Sequence, residues 1–326
     1  MTWLGTAGMF ITDGKTGILI DPYVSRFGMS KIVFGSPLEP NCALIRKWAE
    51  KLGRENITAV IVSHSHFDHV ADAPYFAIEA DAPLIGTEST INVGRGAGMA
   101  ESKLIAVKPG RTMRFGDFTV KFIESAHGPA FLGRVPYPGT IDQPLIPPAA
   151  AGDYRLGGVF ALLITHPSGT ILHHGSAGFK PEMYDGIAVD AILLGIGGRG
   201  DTDQYLENVV LKTRARLVVP IHFDNFFKPL EDGMSFLPMV KFDEFYRKAE
   251  KHRSVFTLRT MPFCEEVAIL PTGCCHRTAW CYSIGVLPIV LAPHFPRRMT
   301  CTAVALNETS DRCTFSRCLN LRKKIP

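Results

Sequence analysis

Short apolar runs separated by turn residues recur along most of the chain. Residues 3–11 and 17–22 are alternating or continuously apolar and flank the polar turn 13–15, a pattern that predicts an opening β-hairpin. Residues 43–52 have an amphipathic helical pattern, and 57–62 is a β-branched apolar run of the kind that forms a fully buried strand. Further strands are predicted at 83–86, 118–123, 158–165, 170–172, 188–194 and 217–219. Residues 203–213 read as a helix with Asp201 or Thr202 as its N-cap, and 241–251 as another, before a last strand at 255–258. Strands and helices alternating in two halves predict an α/β architecture, with two stacked sheets and helices outside.

The strand at 57–62 delivers chemistry. It runs directly into Ser-His-Ser-His-Phe-Asp-His, so His64, His66, Asp68 and His69 leave the strand's C-terminal end on one turn. Imidazole nitrogens and a carboxylate oxygen suit zinc, with iron and manganese as competitors. A lone histidine is more often a core or surface residue; four metal-binding side chains in six positions after a buried strand are a metal site.

That motif resembles the signature of the metallo-β-lactamase superfamily, hydrolases with a four-layer αββα sandwich. The opening hairpin, Ser-Ala-His127-Gly after the strand at 118–123, and Val-Val-Pro-Ile-His222 match further family segments in order. The match covers roughly residues 2–271. The resemblance implies one metal site of His64, His66 and His127 and a second of Asp68, His69 and His222. One departure stands out: the family supplies a bridging aspartate where this chain has Gly-Ser176-Ala-Gly. Losing an anion about 4 Å from a dication forfeits on the order of several kcal/mol, so a second metal is expected to bind weakly. His174, His173 on the opposite face of the strand, and Asp224 are the candidate substitutes. The competing reading of His173 and His174 is a pair of strand residues facing core. Gly-Ser-Ala-Gly also reads as a tight turn where backbones approach closely. The segments resemble a branch that includes ascorbate-phosphate lactonase and N-acyl-phosphatidylethanolamine phospholipase D, where the serine is a lineage feature.

The chain has 326 residues, is 46% hydrophobic and carries a formal charge of +4. The charge is uneven: residues 272–326 hold eight Lys and Arg against Glu308 and Asp311, a net +6, which leaves −2 for residues 1–271. Six of the eight cysteines (Cys274, Cys275, Cys281, Cys301, Cys313 and Cys318) lie in the same tail, without a Cys-x-x-Cys spacing. The reading is a catalytic domain over 1–271 and a Cys-rich basic tail over 272–326, with little of the tail packed on the domain. A disulfide-linked appendage, a basic arm for an acidic partner and a stretch under different selection remain open for it. No basic stripe interleaves with aromatics in the main domain, so nucleic acid is not an expected partner. No run reaches the roughly 18 apolar residues needed to span a bilayer. Met1 lies almost on the first strand, leaving no room for a signal peptide. A cytoplasmic protein is expected, or a truncated start with export still open.

Residues 128–157 carry six prolines, Phe131, Tyr137 and Tyr154, and the cations Arg134 and Arg155. Loops this long in compact domains are usually functional or disordered, and this one follows His127, so it is expected to wall the substrate pocket. Residues 23–40 are the expected opposing rim. Three imidazoles around a metal bring a bound water's pKa to about 7, so hydroxide is expected to attack a small ester, lactone or phosphodiester. Asp68 is the candidate catalytic residue, as ligand or as the group that orients water and accepts its proton. Asp21 is a candidate outer partner for a ligand imidazole, or alternatively a strand-end turn residue. The alternative function is a non-catalytic metal or ligand-binding protein that kept the fold without the bridging aspartate.

Overall fold

Two mixed sheets carry the molecule, and both change from antiparallel to parallel pairing part-way across. The structure is a computed structural model that describes residues 1–130 and 133–267, with the backbone of 270–272 and 281–283. The described residues belong to one unit, Met1–Val290. The first sheet has the order β1 (Thr2–Trp3), β2 (Met9–Thr12), β3 (Gly17–Ile20), β4 (Ile57–Ile61), β5 (Leu84–Gly86) and β6 (Leu104–Ala106). The second sheet contains β7 (Thr112–Phe115), β8 (Phe118–Glu124), β9 (Phe160–His166), β10 (Gly169–His174), β11 (Ala191–Gly195), β12 (Leu217–Ile221) and β13 (Thr257–Leu258), in reverse order.

Strand parity explains the layers. Ala59 and Ile61 on β4, with Ile18 and Ile20 on β3, join the core shared with Phe122, Ile164, Leu172 and Leu193 of the second sheet. Leu19, Val60 and Val62 point the other way, into a second core against the outer helices. Helix α1 is Met29–Val33 and α2 is Cys42–Lys51. The Asn41 side chain caps α2 by accepting from the Leu44 amide, and Ile45, Trp48 and Ala49, at helical spacing, form its buried stripe. Helices α3 (Phe67–Val70), α4 (Ala73–Glu79) and α5 (Glu88–Gly96) follow on the first sheet's side. On the second sheet's side, α6 (Thr202–Tyr205), capped by Asp201, continues as a π-helical stretch over Leu206–Leu211, and α7 is Phe242–Glu250. This is the αββα sandwich expected from the sequence.

Strands β14 (Leu270–Thr272) and β15 (Cys281–Ser283) pair antiparallel, so the domain boundary expected at 271 falls within β14. The rest of the tail expectation lies outside the described residues, as does Phe131. Among the described residues, no helix is long and apolar enough to cross a membrane.

Candidate metal centre

The expected ligand residues converge from the C-terminal ends of strands in both sheets. The turn after β4 brings His64 and His66, and α3 presents Asp68 and His69. His127 follows β8, and His222 follows β12. The donor atoms of His64, His66 and His127 lie within 4.8 Å of one another, as do those of Asp68, His69 and His222. His64 Nε2 and His66 Nδ1 are 3.1 Å apart. Asp68 Oδ2 lies 3.5 Å from His222 Nε2 and 3.7 Å from His69 Nε2. Two nitrogens bound tetrahedrally to one zinc ion would be about 3.3 Å apart, so the donor spacing fits a small dication.

The electrostatics fit as well. Burial holds His66 down to about 4 and His127 down to about 3, and burial together with the neighbouring imidazoles keeps His64 well below the usual histidine range. These rings are therefore neutral, as ligand nitrogens must be. Burial penalises the charge of Asp68, yet His69 and His222 more than offset it and hold the carboxyl below its ordinary range. Burial also works against a proton on His69, but Asp68 and Asp21 raise its affinity above the ordinary value.

Outer partners fix the ring poses. His127 Nδ1 donates to the Gly128 carbonyl at 2.7 Å, leaving Nε2 for the cluster. His69 Nδ1 lies 2.9 Å from Asp21 Oδ2. Asp21 also accepts from the Ser63 hydroxyl at 2.5 Å and the Ser63 amide at 2.6 Å, so β3 and the turn after β4 are joined beneath the centre. Asp21 and His222 have left-handed φ of 45° and 56°, uncommon for non-glycine residues and typical of functional sites.

The substitute ligands are placed elsewhere. Asp224 is in neither donor group, and both its oxygens have other partners: Oδ2 pairs with Arg26 Nη1 at 2.7 Å and Oδ1 accepts from the Thr6 amide at 2.7 Å. His174 joins neither cluster; its Nδ1 is 2.6 Å from the Tyr184 hydroxyl and its ring packs on Tyr205. His173 donates from Nε2 to the Ala7 carbonyl at 2.8 Å. Ser176 is buried after β10, and its hydroxyl has no hydrogen-bond partner. Gly175 beside it is required by packing, since an added Cβ would lie 2.7 Å from His173 Cε1.

Residues 133–157 pack against α5. Asn92 Nδ2 donates to the Ile141 carbonyl at 2.7 Å, the Ile141 amide donates to Ser89 Oγ at 2.9 Å, and Leu38 pairs with Ala149. The segment thus meets the 23–40 loop expected to oppose it. The end of the segment reaches the metal turn, where the Ser65 amide donates to the Leu156 carbonyl at 3.0 Å. Tyr137 is edge-on to His66, with ring centroids 6.1 Å apart. Arg134 and Arg155 are exposed. Tyr154, expected on the pocket wall, is instead fully buried in the helix-side core, because the anchors to α5 turn it inward.

Sequence reasoning missed Ser63, Thr6 and Arg26. Ser63 had a signal in its place between the strand and the motif. Thr6 and Arg26 are brought to the centre by tertiary contacts.

A family model described as the metallo-beta-lactamase superfamily matches residues 1–207. A UPF0173 metal-dependent hydrolase of Pyrobaculum islandicum is 28% identical over 234 residues, covering 69% of this chain and 84% of the relative. An Escherichia coli protein named probable L-ascorbate-6-phosphate lactonase UlaG is 24% identical over 254 residues, covering 69% of each. The solved structure of Igni18, a metallo hydrolase from Ignicoccus hospitalis, superposes with a TM-score of 0.52 at 18% identity, covering 81% of this chain and 95% of that one. With the family model matching well over half of its length, the chain belongs to the metallo-beta-lactamase superfamily.

Proposed function

We propose that this metal-dependent hydrolase opens a small ester, lactone or phosphodiester at the centre formed by His64, His66, Asp68, His69, His127 and His222. The observation that carries the reading is the placement of Asp68: a buried carboxylate held ionised, its Oδ2 within 3.7 Å of His69 Nε2 and 3.5 Å of His222 Nε2, in the turn that also presents His64 and His66. When bound, a divalent cation supplies an acidified water and a Lewis acid that polarises the bond under attack.

His64, His66 and His127 would hold that cation through neutral nitrogens. Asp68, His69 and His222 would hold a second more weakly, because Ser176 offers a neutral hydroxyl where an anion would bridge. With the second position empty, the Asp68 carboxylate is free to orient the nucleophile and take its proton. The imidazole-rich donor set favours zinc, with iron and manganese as competitors. Tyr137 provides an apolar wall beside His66, and the exposed Arg134 and Arg155 suit an anionic group on the substrate. The name of the Escherichia coli relative supports a lactone among the candidates.

The test is metal analysis of the purified protein combined with a panel of ester, lactone and phosphodiester substrates. One firmly held equivalent and turnover of one substrate class are expected. Fully metallated protein that hydrolyses none of the panel would overturn the substrate reading. Two equivalents surviving extensive dialysis against a weak chelator would overturn the stoichiometry.

A further inference from the structure

We propose that Arg26 and Asp224 form a positioning pair that holds His222 in its ligand pose. His222 has an unfavourable backbone, with φ of 56°, and Thr6 and Arg26 share the left-handed region at 49° and 47°. Such conformations persist only where the surroundings over-determine them. Here they do. The His222 amide donates to the Thr6 carbonyl at 2.8 Å, and the Thr6 amide donates to Asp224 Oδ1 at 2.7 Å, so residues two apart clip both backbone groups of one residue. Trp3 Nε1 donates to the same Thr6 carbonyl at 3.1 Å.

Arg26 locks the clip from the other side. Its Nη1 pairs with Asp224 Oδ2 at 2.7 Å, Nη2 donates to the Leu4 carbonyl at 3.0 Å, and Nε donates to the Tyr23 carbonyl at 3.2 Å. Both side chains of the pair are 1% exposed. A buried guanidinium in contact with three acceptors has one geometry available, so the pair is suited to fixing a pose more than to adding stability. Gly5 makes room for it: a Cβ there would lie 1.8 Å from Arg26 Nη2 and 2.7 Å from Asp224 Oδ2. The strands that present His64, His66 and His127 make none of these contacts, so the pair acts on one cluster.

The inference rests on the proposed ligand role of His222, but its test needs no substrate, so a failed substrate panel leaves it standing. Zinc isotherms of the full chain, measured against a competing chelator up to millimolar zinc, are compared for the unaltered protein, Arg26→Met, Arg26→Lys, His222→Ala and His127→Ala. Arg26→Met is expected to approach the His222→Ala isotherm, weakening the affected position by about 10- to 100-fold and sparing the other. Arg26→Lys is expected to recover part of the loss, because an ammonium keeps the charge without the fork. Asp224→Asn, which keeps the acceptor for Thr6, serves if Arg26→Met does not fold, with the same expected isotherm. An isotherm unchanged from the unaltered protein, or one that loses both positions equally as His127→Ala would, overturns the proposal.

Discussion

The two donor clusters share a turn and differ in charge. His64, His66 and His127 are imidazoles kept neutral by burial, one of them backed by a backbone carbonyl. The other cluster contains the anion Asp68 and has a second carboxylate, Asp21, behind His69. In the absence of a cation, His69 between these carboxylates favours its proton, whereas the first cluster stays unprotonated and ready to bind. One cluster is set by desolvation and the other by internal charge pairing, so substitutions and acid should act on them differently.

The largest separation comes from ligand removal. His66→Ala and His127→Ala are expected to lose firmly bound metal and about 10³-fold in kcat/KM, equivalent to several kcal/mol of transition-state stabilisation. Metal content and turnover measured together check this, and retained metal with either change would dissolve the distinction. Asp68→Asn should act through chemistry more than through occupancy: a loss of about 10²-fold or more in kcat, with most of the firmly held metal still present. Full turnover by that variant would remove Asp68 from the mechanism.

Ser176→Asp is expected to tighten the weaker position about tenfold or more by restoring an anion, read from the second phase of a zinc titration. No gain would mean that residue 176 does not face the metals. The last effect is on metal-free stability, where His69, whose proton affinity is raised on folding, works against the other histidines. Because His66 sits at about 4 and His127 at about 3 when folded, the unfolded chain binds protons that the folded one refuses. Above about 6.5 both rings are neutral in either state, and a penalty on folding grows as pH drops towards those values, by at most about 1.4 kcal/mol per pH unit for each group. Melting temperature from pH 7.5 to 4.5 checks the sign, and His66→Asn should flatten the slope.

What could be read beforehand depended on distance along the chain. His64 to His69 were legible because strand, turn and ligands are contiguous, while His127 and His222 needed the family resemblance to connect them. The long strands β8 to β12 were visible in their apolar runs. Helices α3 to α5 were not predicted, because they are short or contain breakers such as Gly94 in α5. Arg26 and Asp224 stand 198 positions apart, and no local pattern pairs them. Tyr154 was misjudged for a similar reason: an aromatic in a proline-rich loop reads as pocket wall until Asn92 and Ser89 are seen holding that loop to α5.

Each donor cluster draws residues from both sheets: His64 and His66 face His127 across the sandwich, and Asp68 and His69 face His222. A cation in either place is therefore a cross-link between the two halves. The sheets cannot part without breaking coordinate bonds, so occupancy should lengthen the lifetime of the native state as well as raise its midpoint with ligand concentration. Chelation would then make the molecule fall apart faster in denaturant while leaving the rate at which the separate halves first condense nearly untouched.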